Sequence, residues 1–130
     1  MTNSHARILI VDDEPAVLKM MSAYLGRLGY TVTASNSTDA ACREAAAAPD
    51  RFDMAVIDAT MPGMAMEELA RQLLRANPAI AVIASSGYPV DMTAVEAAAS
   101  GRVAFLLKPF APEVLAATVR RMIGTQKEEL

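Results

Sequence analysis

Two patterns of apolar positions alternate along the chain. Short β-branched or apolar runs occur at Ile8-Leu9-Ile10-Val11, Tyr30-Thr31-Val32-Thr33, Met54-Ala55-Val56-Ile57, Ile80-Ala81-Val82-Ile83 and Val103-Ala104-Phe105-Leu106. All but the Tyr30–Thr33 run are continuous in apolar residues, as strands covered on both faces tend to be. Between them lie stretches of helical length. In the first, Val17, Met21, Tyr24, Leu25 and Leu28 recur at the spacing of one helical face, and Gly29 is placed to stop it. The second follows Ser37-Thr38-Asp39, a capping sequence with an acid in the first turn, and ends before Pro49. The third covers about 66–76, with Leu69, Leu73 and Leu74 inward, and ends before Pro78. The fourth, 91–99, is Ala-rich and anchored only by Met92 and Val95, with Gly101 closing it. The fifth starts near Pro112, a residue tolerated in a first turn, and buries Leu115, Val119, Met122 and Ile123.

Five strand–helix pairs in strict alternation predict an α/β fold, a doubly wound parallel sheet with right-handed crossovers and helices on both faces. The 130 residues suit one domain, 1–130, with a core over about 6–123 and short polar tails. There are 12 Lys and Arg against 15 Asp and Glu, a formal net charge of −3, which disfavours nucleic acid as a partner because phosphate neutralisation needs clustered cations. One Cys can form neither an internal disulfide nor a thiolate metal cage, which fits a reducing compartment. No apolar run approaches the ~20 residues that span a bilayer, and residues 1–7 lack the apolar core of a secretory signal. The expectation is a cytoplasmic domain with no membrane partner.

In a doubly wound sheet the chemistry lies outside the C-terminal ends of the strands. Asp12, Asp13 and Glu14 follow the first run, Asp58 the third, Ser85 and Ser86 the fourth, and Lys108, with Pro109 behind it, the fifth. Convergence would gather three carboxylates, a hydroxyl and an ammonium. Two like charges ~4 Å apart repel by about 4 kcal/mol at an effective dielectric near 20, and one lysine does not offset a cluster. A hard cation does, and Mg²⁺ takes carboxylates, waters and phosphoryl oxygens. An all-oxygen set argues against zinc or copper. The chemistry that uses this set is phosphoryl transfer to a carboxylate, with the metal, a Lys and a hydroxyl holding the phosphoryl oxygens. Asp58, alone at the end of the third strand, is the expected nucleophile, and the adjacent Asp12 and Asp13 suit metal binding, directly or through water.

These residues form recognisable motifs. Val11-Asp12-Asp13-Glu14-Pro15, Val56-Ile57-Asp58, Met61-Pro62-Gly63-Met64, Ser86-Gly87-Tyr88 and Leu107-Lys108-Pro109-Phe110 together resemble the response regulator receiver domain of two-component signalling, in order and spacing and over nearly the whole chain. The resemblance implies a flavodoxin-like five-stranded sheet of order 2-1-3-4-5. It implies that Asp58 takes a phosphoryl group from a phosphohistidine on a sensor histidine kinase or histidine phosphotransfer protein. Mg²⁺ would sit on Asp12, Asp13, Asp58 and the backbone carbonyl of Thr60. Ser86 would hydrogen-bond the phosphoryl group, Lys108 would pair with it, and Phe105 would be the switch aromatic that turns inward as Ser86 moves. Such a domain catalyses only its own phosphorylation and dephosphorylation and signals to a downstream protein through its fourth helix, fifth strand and fifth helix, as a monomer or a phosphorylation-dependent dimer. One departure stands out: many members follow the Met-Pro-Gly-Met motif with Asp-Gly, and here Ala65-Met66 follows. That removes a capping side chain, at a cost of ~1 kcal/mol, and alters the loop beside Asp58.

Other residues have plainer readings. Asp53 precedes its strand, far from the crevice, and reads as a turn or cap residue. Ser86 is favoured over Ser85 by its register with Gly87. Pro109 predicts a fixed loop after Lys108 in which a cis peptide is open. His5 precedes the first strand and suits neither phosphorelay nor base catalysis, and Cys42 reads as a small buried or half-buried residue. Most of the nine Met residues read as core; Met64 and Met66 are candidates for partner contact. Residues 124–130 form a polar, charged tail with no output domain in it. Two other functions compete. An aspartyl-phosphate hydrolase would place its nucleophile after the first strand with a second Asp two residues on, where Thr60 stands instead. A receiver-like binding module without phosphorylation would not need every site position retained.

Overall fold

The computed structural model describes residues 6–49 and 51–127, and side chains as far as Ile123. Five strands, β1 (Arg7–Val11), β2 (Thr31–Ser35), β3 (Met54–Asp58), β4 (Ala81–Ser86) and β5 (Val103–Leu107), form one sheet of order 2-1-3-4-5. Every pair is parallel. Helices α1 (Pro15–Arg27), α2 (Thr38–Ala47), α3 (Met66–Ala76), α4 (Thr93–Ala98) and α5 (Pro112–Lys127) alternate with them. This is the flavodoxin-like doubly wound arrangement expected from the alternation and the motifs. His5 and the end of the polar tail lie outside the described residues.

Strand alternation splits the apolar residues into two cores. Leu9, Val11, Ala55, Ile57, Val82 and Ala84 pack against Ala41, Leu69, Leu73 and Val95 from α2, α3 and α4. Ile8, Ile10, Met54, Val56 and Ile83 pack against Met21 and Leu25 of α1 and Leu115, Val119 and Ile123 of α5. The order places β1, β3 and β4 inside, which is why their runs are apolar on both faces. β5 is equally apolar in sequence but lies at an edge, and its Leu107 is exposed. Each helix returns antiparallel to the strands, so β1 begins and α5 ends on the rim opposite the strands' C-terminal ends.

Several boundaries differ from expectation, each for a local reason. Ser85 and Ser86 belong to β4 rather than to a loop, because both are buried and they pair with Leu106 and Leu107 of β5. Tyr30 and Ile80 precede their strands. Leu28, expected on the buried face of α1, is exposed: it is the C-cap, and Gly29 at φ 101° turns the chain away at the next residue. Leu74 is only half-buried. α4 is shorter than 91–99 because Asp91 accepts hydrogen bonds from the Thr93 amide and hydroxyl and forms a turn before it. α5 runs through Lys127, so the first part of the expected tail is helical. Asp53 accepts from the Arg7 amide at 2.8 Å and pairs with its guanidinium, tying the N-terminal ends of β1 and β3 far from the crevice as expected.

Candidate functional site

The parallel ladder continues past the strand ends and carries the polar residues with it. The Asp12 amide donates to the Ser35 carbonyl at 3.1 Å, the Ala59 amide to Ser85 at 2.7 Å, and the Lys108 amide to Ser86 at 2.7 Å. The ends of β1, β3 and β5 are thereby fixed around one crevice. Lys108 Nζ lies 3.0 Å from Asp12 Oδ2, 3.3 Å from Asp58 Oδ2 and 3.4 Å from Glu14 Oε1. Asp12 and Asp58 are buried, whereas Asp13 and Glu14 face solvent. The peptide between Lys108 and Pro109 is cis.

Two short turns orient the buried carboxylates. The Glu14 amide donates to Asp12 Oδ1 at 2.9 Å as the chain enters α1 through Pro15. The Thr60 amide and hydroxyl both donate to Asp58 Oδ1, at 2.9 and 2.8 Å. Asp58 thus has one oxygen on Thr60 and the other on Lys108. Burial alone would push the Lys108 ammonium toward losing its proton, but the hydrogen bond and charge of Asp12, followed by those of Asp58, outweigh it and hold the pKa above the ordinary lysine value.

Oxygens of Asp12, Asp13 and Asp58 lie within 4.8 Å of one another. Three carboxylates at this range face one ammonium, and an all-oxygen set of this charge fits a hard divalent cation. Thr60, in the turn directly after Asp58, brings its backbone to the same place. Ser86 is fully buried, and its Oγ accepts from the Tyr88 amide at 3.2 Å. Alternation puts Ser86 on the same sheet face as Ala84 and Phe105, which are register partners, while Ser85 is register partner to Asp58. Phe105 is half-buried against the core beneath α4.

Sequence reasoning did not foresee that Glu14 is a third partner for Lys108, although its place in the acidic run was a signal. The Thr60 side chain on Asp58 carried no signal beyond proximity. The N-cap of α3, Ala65, makes no side-chain cap bond, as the missing Asp predicted, and Glu67 and Glu68 in the first turn offer favourable charge there instead. Met66, considered for partner contact, is buried because it opens α3 facing the α2–α3 core, and Met64 is half-buried with its Sδ 3.8 Å from Cys42 Sγ. Cys42 is half-buried as expected, and burial, then Asp39 and Glu68, push its thiol pKa up. Among the described residues no helix is long and apolar enough to cross a membrane.

Comparison with known proteins agrees with this geometry. The family model for the response regulator receiver domain matches residues 8–120. The sensor kinase CckA of Brucella abortus (strain 2308) is 36% identical over 121 residues, 93% of this chain, and the chain spans 13% of that protein's length. The CheY-like receiver domain protein of Methanospirillum hungatei JF-1 superposes with a TM-score of 0.84 at 26% identity, covering 97% of this chain and 99% of that one. The receiver domain of the hybrid histidine kinase CckA does so with a TM-score of 0.78 at 27% identity, covering 90% and 98%. With the family model spanning all five motifs and every strand–helix pair, the chain belongs to the response regulator receiver domains of two-component signalling.

Proposed function

We propose that this receiver domain accepts a phosphoryl group on Asp58 from a phosphohistidine of a sensor histidine kinase or histidine phosphotransfer protein. The observation that carries this reading is the Lys108 ammonium set between the buried carboxylates of Asp12 and Asp58 at 3.0 and 3.3 Å, with Asp13 beside them. A carboxylate oxygen of Asp58 forms the new P–O bond, the P–N bond of the donor breaks, and the departing imidazole nitrogen keeps the bonding pair and takes up a proton. Asp12, Asp13, Asp58 and the Thr60 carbonyl would hold Mg²⁺, which when bound neutralises charge on the phosphoryl oxygens. Lys108 transfers its ion pair from Asp58 to a phosphoryl oxygen. The Ser86 hydroxyl, now facing the Tyr88 amide, turns to another. Later attack by water on the acyl phosphate returns Asp58, so the domain acts on itself and not on an external substrate.

Phosphorylation adds charge beside Ser86 and biases an equilibrium between two packings of α4, β5 and α5. Phe105, half-buried on the Ser86 face, is the aromatic that moves. α4 is six residues long with Val95 its buried anchor, an element of low local stability. The exposed Leu107 and Val114 on β5 and α5 give a downstream protein apolar contact. The likeness to a receiver of a hybrid kinase supports a kinase as partner. Acetyl phosphate with Mg²⁺ is expected to label the wild-type chain and not Asp58→Asn; equal labelling of both overturns the assignment.

A further inference from the structure

The loop from Ala59 to Ala65 carries Thr60 beside Asp58, and it is gripped from α2, 26 residues earlier in the chain. Thr38, the first residue of α2, is buried, and its Oγ1 accepts from the Met64 amide at 3.1 Å. Gly63 lies at φ +97°, and a Cβ there would stand 2.8 Å from Thr38 Oγ1, so the backbone passes the hydroxyl as closely as only glycine allows. One helical turn on, Cys42 Sγ touches Met64 Sδ at 3.8 Å. The first turn of α2 is itself held, since the Ser37 hydroxyl accepts from the Ala40 amide at 3.1 Å. At its other end the loop is bound to Asp58 through the Thr60 amide and hydroxyl. The start of α3 adds no side-chain cap to fix it.

We infer that Thr38 is a positioning residue for the phosphoacceptor site: its hydroxyl holds the Met64 amide, sets the path of residues 59–65, and so places the Thr60 peptide against Asp58. This rests on the reading of Asp58 as a Mg²⁺-dependent phosphoacceptor. The hydroxyl touches neither the phosphoryl group nor the metal. It supplies the fixed point that a capping side chain at position 65 would otherwise provide. Replacing it with an isosteric methyl leaves a part-buried amide without its acceptor, and the loop shifts to satisfy it.

The test compares Thr38→Val, which keeps the shape and loses the hydroxyl, with Thr38→Ser, which keeps the hydroxyl. Three readouts apply: exchange of the Met64 amide proton by NMR, the Mg²⁺ midpoint from amide shifts, and the initial rate of labelling by acetyl phosphate. Thr38→Val is expected to speed Met64 exchange about fivefold. It should also weaken Mg²⁺ binding or slow labelling about tenfold, the scale seen when outer contacts of a metal site are lost. Thr38→Ser should restore all three. Wild-type Mg²⁺ binding and labelling in Thr38→Val overturns the inference, as does equal impairment in Thr38→Ser. If the wild type takes no label while Thr38→Val still moves Met64 exchange and the Mg²⁺ midpoint, the phosphoacceptor reading fails and the positioning role stands. Should Thr38→Val not fold, Gly63→Ala displaces the same contact, and an unchanged Mg²⁺ midpoint there overturns the inference.

Discussion

At the scale of single residues the site is an imbalance of charge. One ammonium serves Asp12, Asp58 and Glu14, with Asp13 close by. Lys108→Met leaves two buried carboxylates facing each other, and a loss of about 3 kcal/mol in unfolding free energy is expected by chemical denaturation. Asp58→Asn removes one of the repelling charges and should raise stability in the absence of metal. The pH dependence follows from the raised Lys108 pKa. A group that binds its proton more tightly when folded contributes its full stabilisation below its unfolded value, about 10.4, and loses it as pH rises through the higher folded value. The wild type should therefore lose stability above about pH 10.5 more steeply than Lys108→Met. Parallel stability curves for the two from about pH 9 to 12 would exclude the ion pair as the cause.

Among the elements, α3 shows how a local irregularity and its sequence signal correspond. Its boundaries, Met66–Ala76, were legible from Leu69 and Leu73 and the proline beyond, and its bare N-terminus from Ala65. Ala65→Asp should supply the missing cap and stabilise the domain by about 1 kcal/mol in thermal or denaturant unfolding. A destabilised variant would mean that the loop between Thr60 and Met64 does not tolerate the capping geometry. Other elements were less legible for reasons that are physical rather than statistical. β4 looked shorter because serines read as loop residues, yet Ser85 and Ser86 are buried with their backbones paired. Leu28 fitted the period of α1, and periodicity alone carries no information about where a left-handed glycine will turn the chain. The grip of Thr38 on Met64 joins residues 26 positions apart, and no local pattern encodes such a pairing.

On the scale of the whole molecule, alternation alone specified a parallel sheet with helices on both sides. The order 2-1-3-4-5 came from the motifs, because apolar runs in β1, β3, β4 and β5 do not distinguish an edge strand from a central one. Asp12, Asp13, Asp58 and Lys108 were legible because strand ends in this topology converge, and the ladder bonds of Asp12, Ala59 and Lys108 are what make them do so. What should move lies at the β5 edge of the sheet, where α4 and α5 flank the outer strand on opposite faces. Beryllofluoride with Mg²⁺ is expected to shift the amides of Ser86, Phe105 and α4 in NMR spectra, and to leave α1 beyond its first turn and the β1–β2 pair nearly unchanged. Shifts spread evenly from the β2 edge of the sheet to the β5 edge would count against a switch confined to α4, β5 and α5.

The chain enters the sheet at Arg7 and leaves along α5 toward Lys127, both on the rim opposite Asp58 and Lys108. A fluorophore or a solid support attached at the start of β1 or at the last described turn of α5 therefore stands on the far side of the sheet from the crevice. Immobilised in that way, the domain presents the crevice of Asp12, Asp58 and Lys108 outward.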